Sequence, residues 1–362
     1  MDSPASRVEE GARGSRRNDR SRVGRHAHTF AALDLGTHNC RLLVAKSLND
    51  REGFRVIDAF SRIVRLGERV NETGVLSEAA IQRTIRALGV CAGKMERCGV
   101  TRVRSVATEA CRRAQNCDEF IGRVFAETRI TFDVISTDEE ARLALAGCAP
   151  LLNDDAEYAL VFDIGGGSTE LMFLKLAAGE EPDVLDVISL PCGVVTLSER
   201  FGSHDVAPDT YAAMVNEALL LLAPFEAANN ISELSRSGQL QMLGTSGTVT
   251  TLAAVNLGLP KYDRSQVDAR WIDRDAIATT SQQLVQMTYE ERADHPCIKR
   301  GRADLVVAGC AILEAIMRNW PVNRVRVADR GLREGILLAL MSAADQDSRG
   351  VVDLGIRAQV AS

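Results

Sequence analysis

Two aspartates, Asp34 and Asp163, occupy corresponding places in two nearly repeated stretches, 31–44 and 160–173. Each ends an apolar run, is followed two residues later by a glycine, and leads through small hydrogen-bonding residues into a second apolar run. Backbone N–H groups in a Gly/Ser/Thr turn form an anion-binding concavity, and glycine lets a phosphate approach the main chain closely. The chemistry on offer is a phosphate grip, by Gly36, Thr37, His38 and Asn39 in one turn and by Gly165, Gly166, Gly167 and Ser168 in the other. Asp34 and Asp163 can orient water or hold a divalent ion between phosphates. Three consecutive glycines after a buried strand are costly in a merely structural turn, which makes the second copy the stronger signal. A third small-residue loop, Gly244, Thr245, Ser246 and Gly247, follows another apolar strand and precedes a helix. It offers a further phosphate site or a wall for a nucleoside, with a plain strand-to-helix turn as the alternative.

The elements around these loops must hold them in place. From Phe30 the pattern reads strand, turn, strand, and a third strand over 54–63. Ser77 then caps a helix whose Ile81, Ile85, Leu88, Ala92 and Met95 recur at helical spacing, closed by Gly99. Residues 102–107 read as a strand, Asn116 and Glu119 as a capping box, 132–135 as a strand and 139–147 as a helix. The second hairpin opens a second unit with strands near 159–164, 169–176 and 184–190, a long helix around 211–223, and the strand 241–244 with a following helix. Residues 302–320 read as a buried helix, 324–328 as a strand and 331–340 as a final helix. Two units that open with the same β-hairpin and continue with alternating helices and strands imply an α/β duplication with the ligand in the cleft between halves. The expected boundaries are a disordered basic tail over 1–28, domains over 29–152 and 153–330, a terminal helix over 331–345 packing back on the first domain, and a flexible tail over 346–362.

The chain has 362 residues, 46% hydrophobic and 25% charged, enough for two domains with their own cores. No apolar run approaches the roughly 20 residues that span a bilayer, and the N-terminus lacks an apolar signal core, so a cytoplasmic protein without membrane contact is expected. Nine scattered cysteines, with no Cys-x-x-Cys pair, read as reduced core residues, and five histidines at no metal-binding spacing argue against transition-metal catalysis. A formal net charge of -6 argues against general nucleic-acid binding. Nearly all the positive charge is arginine, which suits bidentate phosphate recognition or reflects only a codon bias.

The three loops together resemble the sugar kinase, actin and heat-shock ATPase superfold. Within it, six blocks are similar to the exopolyphosphatase and guanosine pentaphosphate phosphatase family: 32–37, 107–112, 135–143, 163–171, 244–248 and 330–337, spread from about residue 30 to 342. The resemblance implies an actin-like, ribonuclease H-like α/β duplication that hydrolyses a terminal phosphoanhydride. It implies Glu140 as the base that activates water, Arg112 as a phosphate contact, and Asp163, with Asp34 sharing, as the holder of Mg2+. Mn2+ and a monovalent cation such as K+ are further candidates, and a homodimer is expected from relatives. Ser136 with Glu139 and Thr137 with Glu140 both fit a capping box, so either glutamate could be spent on the helix end. His38 stands where many relatives have Asn, which would let pH modulate binding. Longer relatives carry a C-terminal HD-type domain beyond the point where this chain stops, so a shorter grip on polyphosphate, or one completed by a second subunit, is expected. Polyphosphate and guanosine pentaphosphate present the same terminal group; the small number of aromatics, 4%, favours the former. An ATP-dependent kinase and a sensor of guanosine tetraphosphate are the alternatives from other classes.

Overall fold

The computed structural model describes residues 28–48, 53–153 and 155–357 and folds them into two α/β domains. All but the last residue of the proposed basic tail, and residues 358–362, lie outside the described residues. The first domain carries β1 (Thr29–Leu35), β2 (Asn39–Ser47), β3 (Phe54–Ile63), β4 (Arg102–Ala107) and β5 (Asp133–Val134), in the order β3-β2-β1-β4-β5. The second carries β6 (Tyr158–Ile164), β7 (Thr169–Lys175), β8 (Asp183–Leu190), β9 (Leu240–Thr245), β10 (Trp271–Asp273) and β11 (Arg324–Ala328), in the order β10-β11-β9-β6-β7-β8. Each sheet opens with an antiparallel meander and then lays a parallel strand beside its first member, β4 beside β1 and β9 beside β6. The repeat in the sequence is therefore a repeat of topology.

β1 is buried along its whole length because helices cover both faces of its sheet. Alternate residues go to different cores: Ala31, Leu33 and Leu35 pack with the Glu78–Arg97 and Cys117–Thr128 helices. Phe30 and Ala32 instead meet Ile336, Leu337, Met341 and Ala344 of the terminal helix, Leu332–Arg357. That helix starts beyond the second domain's last strand and ends up on the first domain's sheet. It also crosses the Thr137–Cys148 helix backbone to backbone. A Cβ on Gly147 would collide with the carbonyl oxygen of Gly331, and one on Gly335 with that of Leu143. The missing side chains let the two helices touch.

Several elements differ from the expectation. The terminal helix runs to Arg357 rather than ending near 345, since no proline interrupts the segment. Asn116 stands at the N-cap of its helix as expected, but its side chain makes no capping bond; the side-chain amide instead pairs with both backbone groups of Leu76, at 2.8 and 3.0 Å. The helix expected from residue 302 begins at Val306, and 300–302 form a single 3-10 turn in an irregular segment. Among the described residues no helix is long and apolar enough to cross a membrane.

Candidate active site

The two hairpin turns close in the same way. Gly36 N–H donates to the Asn39 carbonyl at 3.0 Å, and Gly165 N–H to that of Ser168 at 2.9 Å. In both, the aspartate faces a charged residue across the hairpin: Asp34 pairs with Arg41 and Asp163 with Glu170. The turns then meet across the cleft. A Cβ on Gly166 would lie 3.2 Å from the Cβ atoms of both Thr37 and His38, and one on Gly167 2.8 Å from Thr37 Oγ1. Any larger residue at 166 or 167 would push the turns apart. The first turn is fixed from behind, because the His38 carbonyl accepts from Val64 and Arg65 N–H and the Thr37 carbonyl from Gly67 N–H.

A cavity of about 500 Å³ lies where the turns meet. Asp34, Gly36, Thr37, His38, Asn39, Glu140, Asp163, Gly165, Gly166, Gly167, Ser168, Thr245, Ser246 and Gly247 all line it. Two residues expected there do not. Gly244 lies in β9, where a Cβ would sit 2.5 Å from the ring of Phe162, so its smallness serves sheet packing. Arg112 is turned to carboxylates rather than to the cavity: Nη1 donates to Glu140 Oε2 at 2.7 Å and to the Ile135 carbonyl at 3.0 Å, and Nη2 to Glu109 Oε2 at 3.0 Å. Two of the lining hydroxyls already have acceptors, Ser168 in Glu170 at 2.5 Å and Thr245 in the Arg330 carbonyl at 2.8 Å. Ser246, strained at φ 86, has a buried hydroxyl without a partner.

The choice between the two glutamates is resolved by the helix cap. Ser136 is the N-cap, accepting from Glu139 N–H at 3.2 Å. Glu139 does not reach back to complete a box; it pairs with Arg104 at 2.5 Å on the outside. Glu140 is thereby left facing inward. Burial, then the neighbouring Glu170, raises its pKa to about 8 against the pull of Arg112. Burial and Glu170 likewise raise Asp163 to about 7, and burial raises Asp34 and Glu170. Glu170 was not among the expected site residues. Its signal was a lone acid in the apolar run of β7, seven positions after Asp163 as Arg41 is after Asp34.

Cations line the same cavity: Arg41, Lys261, Lys299, Arg302 and Arg333, none of which has a carboxylate within 4.0 Å among the described residues. Arg302 packs on the third loop, where a Cβ on Gly247 would lie 2.5 Å from its Nη1. Burial and the charge of Arg41 lower its pKa to about 10, and burial with Arg302 and Arg41 lowers that of Lys299. Converging like charges of this kind await an anion. His38 is pressed by the same group. Burial first, then Arg302, Arg65 and Arg41, hold its imidazole down to about 3 against a weaker pull from the Gly301 carbonyl. Both causes favour its neutral form. Neither ring nitrogen completes a hydrogen bond of normal geometry.

Among the described residues no three His, Cys, Asp or Glu groups form a ready cluster. Asp34, Asp163 and Glu170 are nevertheless buried acids whose raised pKa values a cation would relieve. Such a set fits Mg2+, which takes one or two carboxylates and completes its shell with water and substrate phosphate. It does not fit a cage made by protein alone.

A model of the Ppx/GppA phosphatase family matches residues 43–344. Exopolyphosphatase 2 of Mycobacterium tuberculosis is 30% identical over 323 residues, 86% of this chain and 98% of its own length. Among solved structures, the Ppx/GppA family member of Aquifex aeolicus is 30% identical with a TM-score of 0.69, over 88% of this chain and 98% of its own. An exopolyphosphatase from Cytophaga hutchinsonii is 26% identical with a TM-score of 0.78, over 87% and 98%. The fold is thus the actin-like α/β duplication of these proteins.

Proposed function

The chain belongs to the Ppx/GppA phosphatase family, and from that premise we propose that it hydrolyses the terminal phosphoanhydride of inorganic polyphosphate and releases orthophosphate. The observation that carries the reading is one cavity lined together by two glycine turns, a buried, inward-turned glutamate and five cations without an ion-pair partner among the described residues. Glu140 takes a proton from a water whose oxygen attacks the terminal phosphorus. The P–O bond to the rest of the chain breaks, and the shortened polyphosphate leaves as an anion. Gly166 and Gly167, with Thr37 and His38 of the first turn, present backbone donors to the terminal phosphoryl group, and Arg41, Lys299, Arg302 and Arg333 balance the charge behind it. Mg2+, held by Asp163 with Asp34 and Glu170 beside it, would supply neutralisation of charge on the phosphoryl oxygens. Arg112 acts on this scheme through Glu140, which it grips, rather than through phosphate.

Guanosine pentaphosphate offers the same terminal group, and apolar Leu252, Leu284 and Ile298 among the lining residues give a nucleoside something to lie against. The one Phe, Tyr or Trp among the lining residues is Tyr262, whose hydroxyl is tied to Asp329 at 2.6 Å, and that favours polyphosphate. Initial rates of orthophosphate release from long-chain polyphosphate, guanosine pentaphosphate and ATP, side by side with Mg2+, test the proposal. Polyphosphate is expected to be the fastest; faster turnover of the guanosine nucleotide, or phosphoryl transfer from ATP to a small acceptor, would replace this reading.

A further inference from the structure

Arg292 is 1% exposed and has no carboxylate within 4.0 Å among the described residues. Its guanidinium is spent entirely on backbone carbonyls. Nε donates to Ala303 at 3.0 Å, Nη1 to Leu284 at 3.4 Å and Met287 at 2.5 Å, and Nη2 to Ser203 at 3.5 Å and His204 at 2.5 Å. A buried cation without a counter-ion is a poor device for stability alone, since an apolar side chain of similar volume usually serves as well or better. What a five-donor planar fork does that no apolar side chain can is to fix several carbonyls relative to one another. Here it joins the end of the Arg274–Gln286 helix, the turn after the Val194–Phe201 helix, and Ala303.

Ala303 is the telling partner, because it sits between Arg302 and Asp304 in the irregular segment 295–305. That segment has almost no regular structure of its own. It is braced by Arg302 N–H to the Lys299 carbonyl at 2.7 Å and Leu305 N–H to the Arg302 carbonyl at 2.9 Å. Asp304 reaches the other domain through Arg65 at 2.8 Å. Lys299 and Arg302, two of the cavity's cations, therefore project from a strap whose backbone Arg292 holds at Ala303.

We infer that Arg292 is a positioning residue for polyanion binding: by holding the Ala303 carbonyl it sets where Arg302 and Lys299 point into the cavity. The inference rests on the reading of that cavity as a polyphosphate site, but only on its binding half. It is tested in Glu140→Gln protein by calorimetric titration with tripolyphosphate, which needs no turnover. Arg292→Lys and Arg302→Met are each expected to weaken binding about tenfold, the low end of what one charge-assisted hydrogen bond contributes. The double variant is expected to lose clearly less than the sum of the two single losses, because the part of the Arg292 effect that runs through Arg302 is already gone. Additive losses, or unchanged affinity in a folded Arg292→Lys protein, would overturn the inference.

A second measurement on the unsubstituted chain guards against a variant that does not fold. Amide exchange of residues 300–304 is expected to be slow without ligand and unchanged by tripolyphosphate. Fast exchange that slows only on binding would mean that the ligand, not Arg292, orders the strap. Tight tripolyphosphate binding without any phosphatase activity would discard the hydrolytic proposal while leaving this one standing.

Discussion

At the scale of single residues, the site turns on Glu140 and on what holds it. Replacing Glu140 by Gln keeps its shape and removes its basicity, so kcat for polyphosphate is expected to fall about a thousandfold, the usual worth of a positioned base, while tripolyphosphate still binds. Phosphate-release assays beside calorimetry check both halves, and an active Gln variant would move the base elsewhere. The proton on Glu140 also has a sign to its pH dependence. Its pKa in the free protein is raised to about 8, so the ionised base is scarce near neutrality and kcat/KM should climb as pH rises toward that value. Arg112 pulls the pKa down, and Arg112→Met should therefore push the acidic limb of kcat/KM to still higher pH. A phosphate-contacting arginine would instead raise KM and leave the limb where it was, so the profile separates the role implied by resemblance from the role seen in the structure. The resemblance pointed to both Arg112 and Glu140 but not to their 2.7 Å contact, since that contact joins residues 28 apart whose helices meet only after folding.

At the scale of elements, the hairpins were legible because their signal is local: apolar runs of period two end in Asp-x-Gly and restart at once. What was not legible depends on register and on neighbours from elsewhere. Glu170 stood inside a quoted block, yet its place beside Asp163 follows only from the pairing of β6 with β7. Gly244 looked like a phosphate loop because nothing in the sequence says that Phe162 lies over it. Arg302 was read into a helix that begins four residues later, and the segment that carries it has no periodicity to find. The helix bearing Glu140 was found, but not the glycines that seat it. Gly335 meets the Leu143 carbonyl so closely that Gly335→Ala must force the Thr137–Cys148 and Leu332–Arg357 helices apart. Overpacking of this kind costs about 1–3 kcal/mol, which denaturant unfolding would detect. Because Leu143 is less than one turn from Glu140, kcat is expected to drop as well. A Gly335→Ala protein of full stability and full activity would show that the crossing is looser than its contacts imply.

At the scale of the whole molecule, a chain with a net charge of -6 gathers cations without an ion-pair partner among the described residues into an interdomain cavity that buried acids also line. Arg41 comes from the first domain's hairpin, Lys299 and Arg302 from the strap, and Arg333 from the terminal helix that returns to the first domain. Bringing the domains together therefore brings like charges together, and without an anion the arrangement works against its own stability. Lys299 feels this directly, since burial and the two arginines Arg302 and Arg41 all disfavour its charged form. A group whose folded-state pKa is depressed in this way destabilises the ligand-free fold while it stays protonated. Lys299→Met removes the charge and keeps most of the apolar stem, so the ligand-free variant should melt above the parent. With tripolyphosphate the order should reverse. A ligand at a hundred times its Kd stabilises by about 2.7 kcal/mol, and the variant, binding more weakly, should gain less at the same concentration. Thermal melts of both proteins across a ligand series, repeated at high salt where the difference should shrink, read the trade directly. If the variant melts below the parent without ligand, these cations are not in conflict, and the charge of the cavity no longer points to a polyanion.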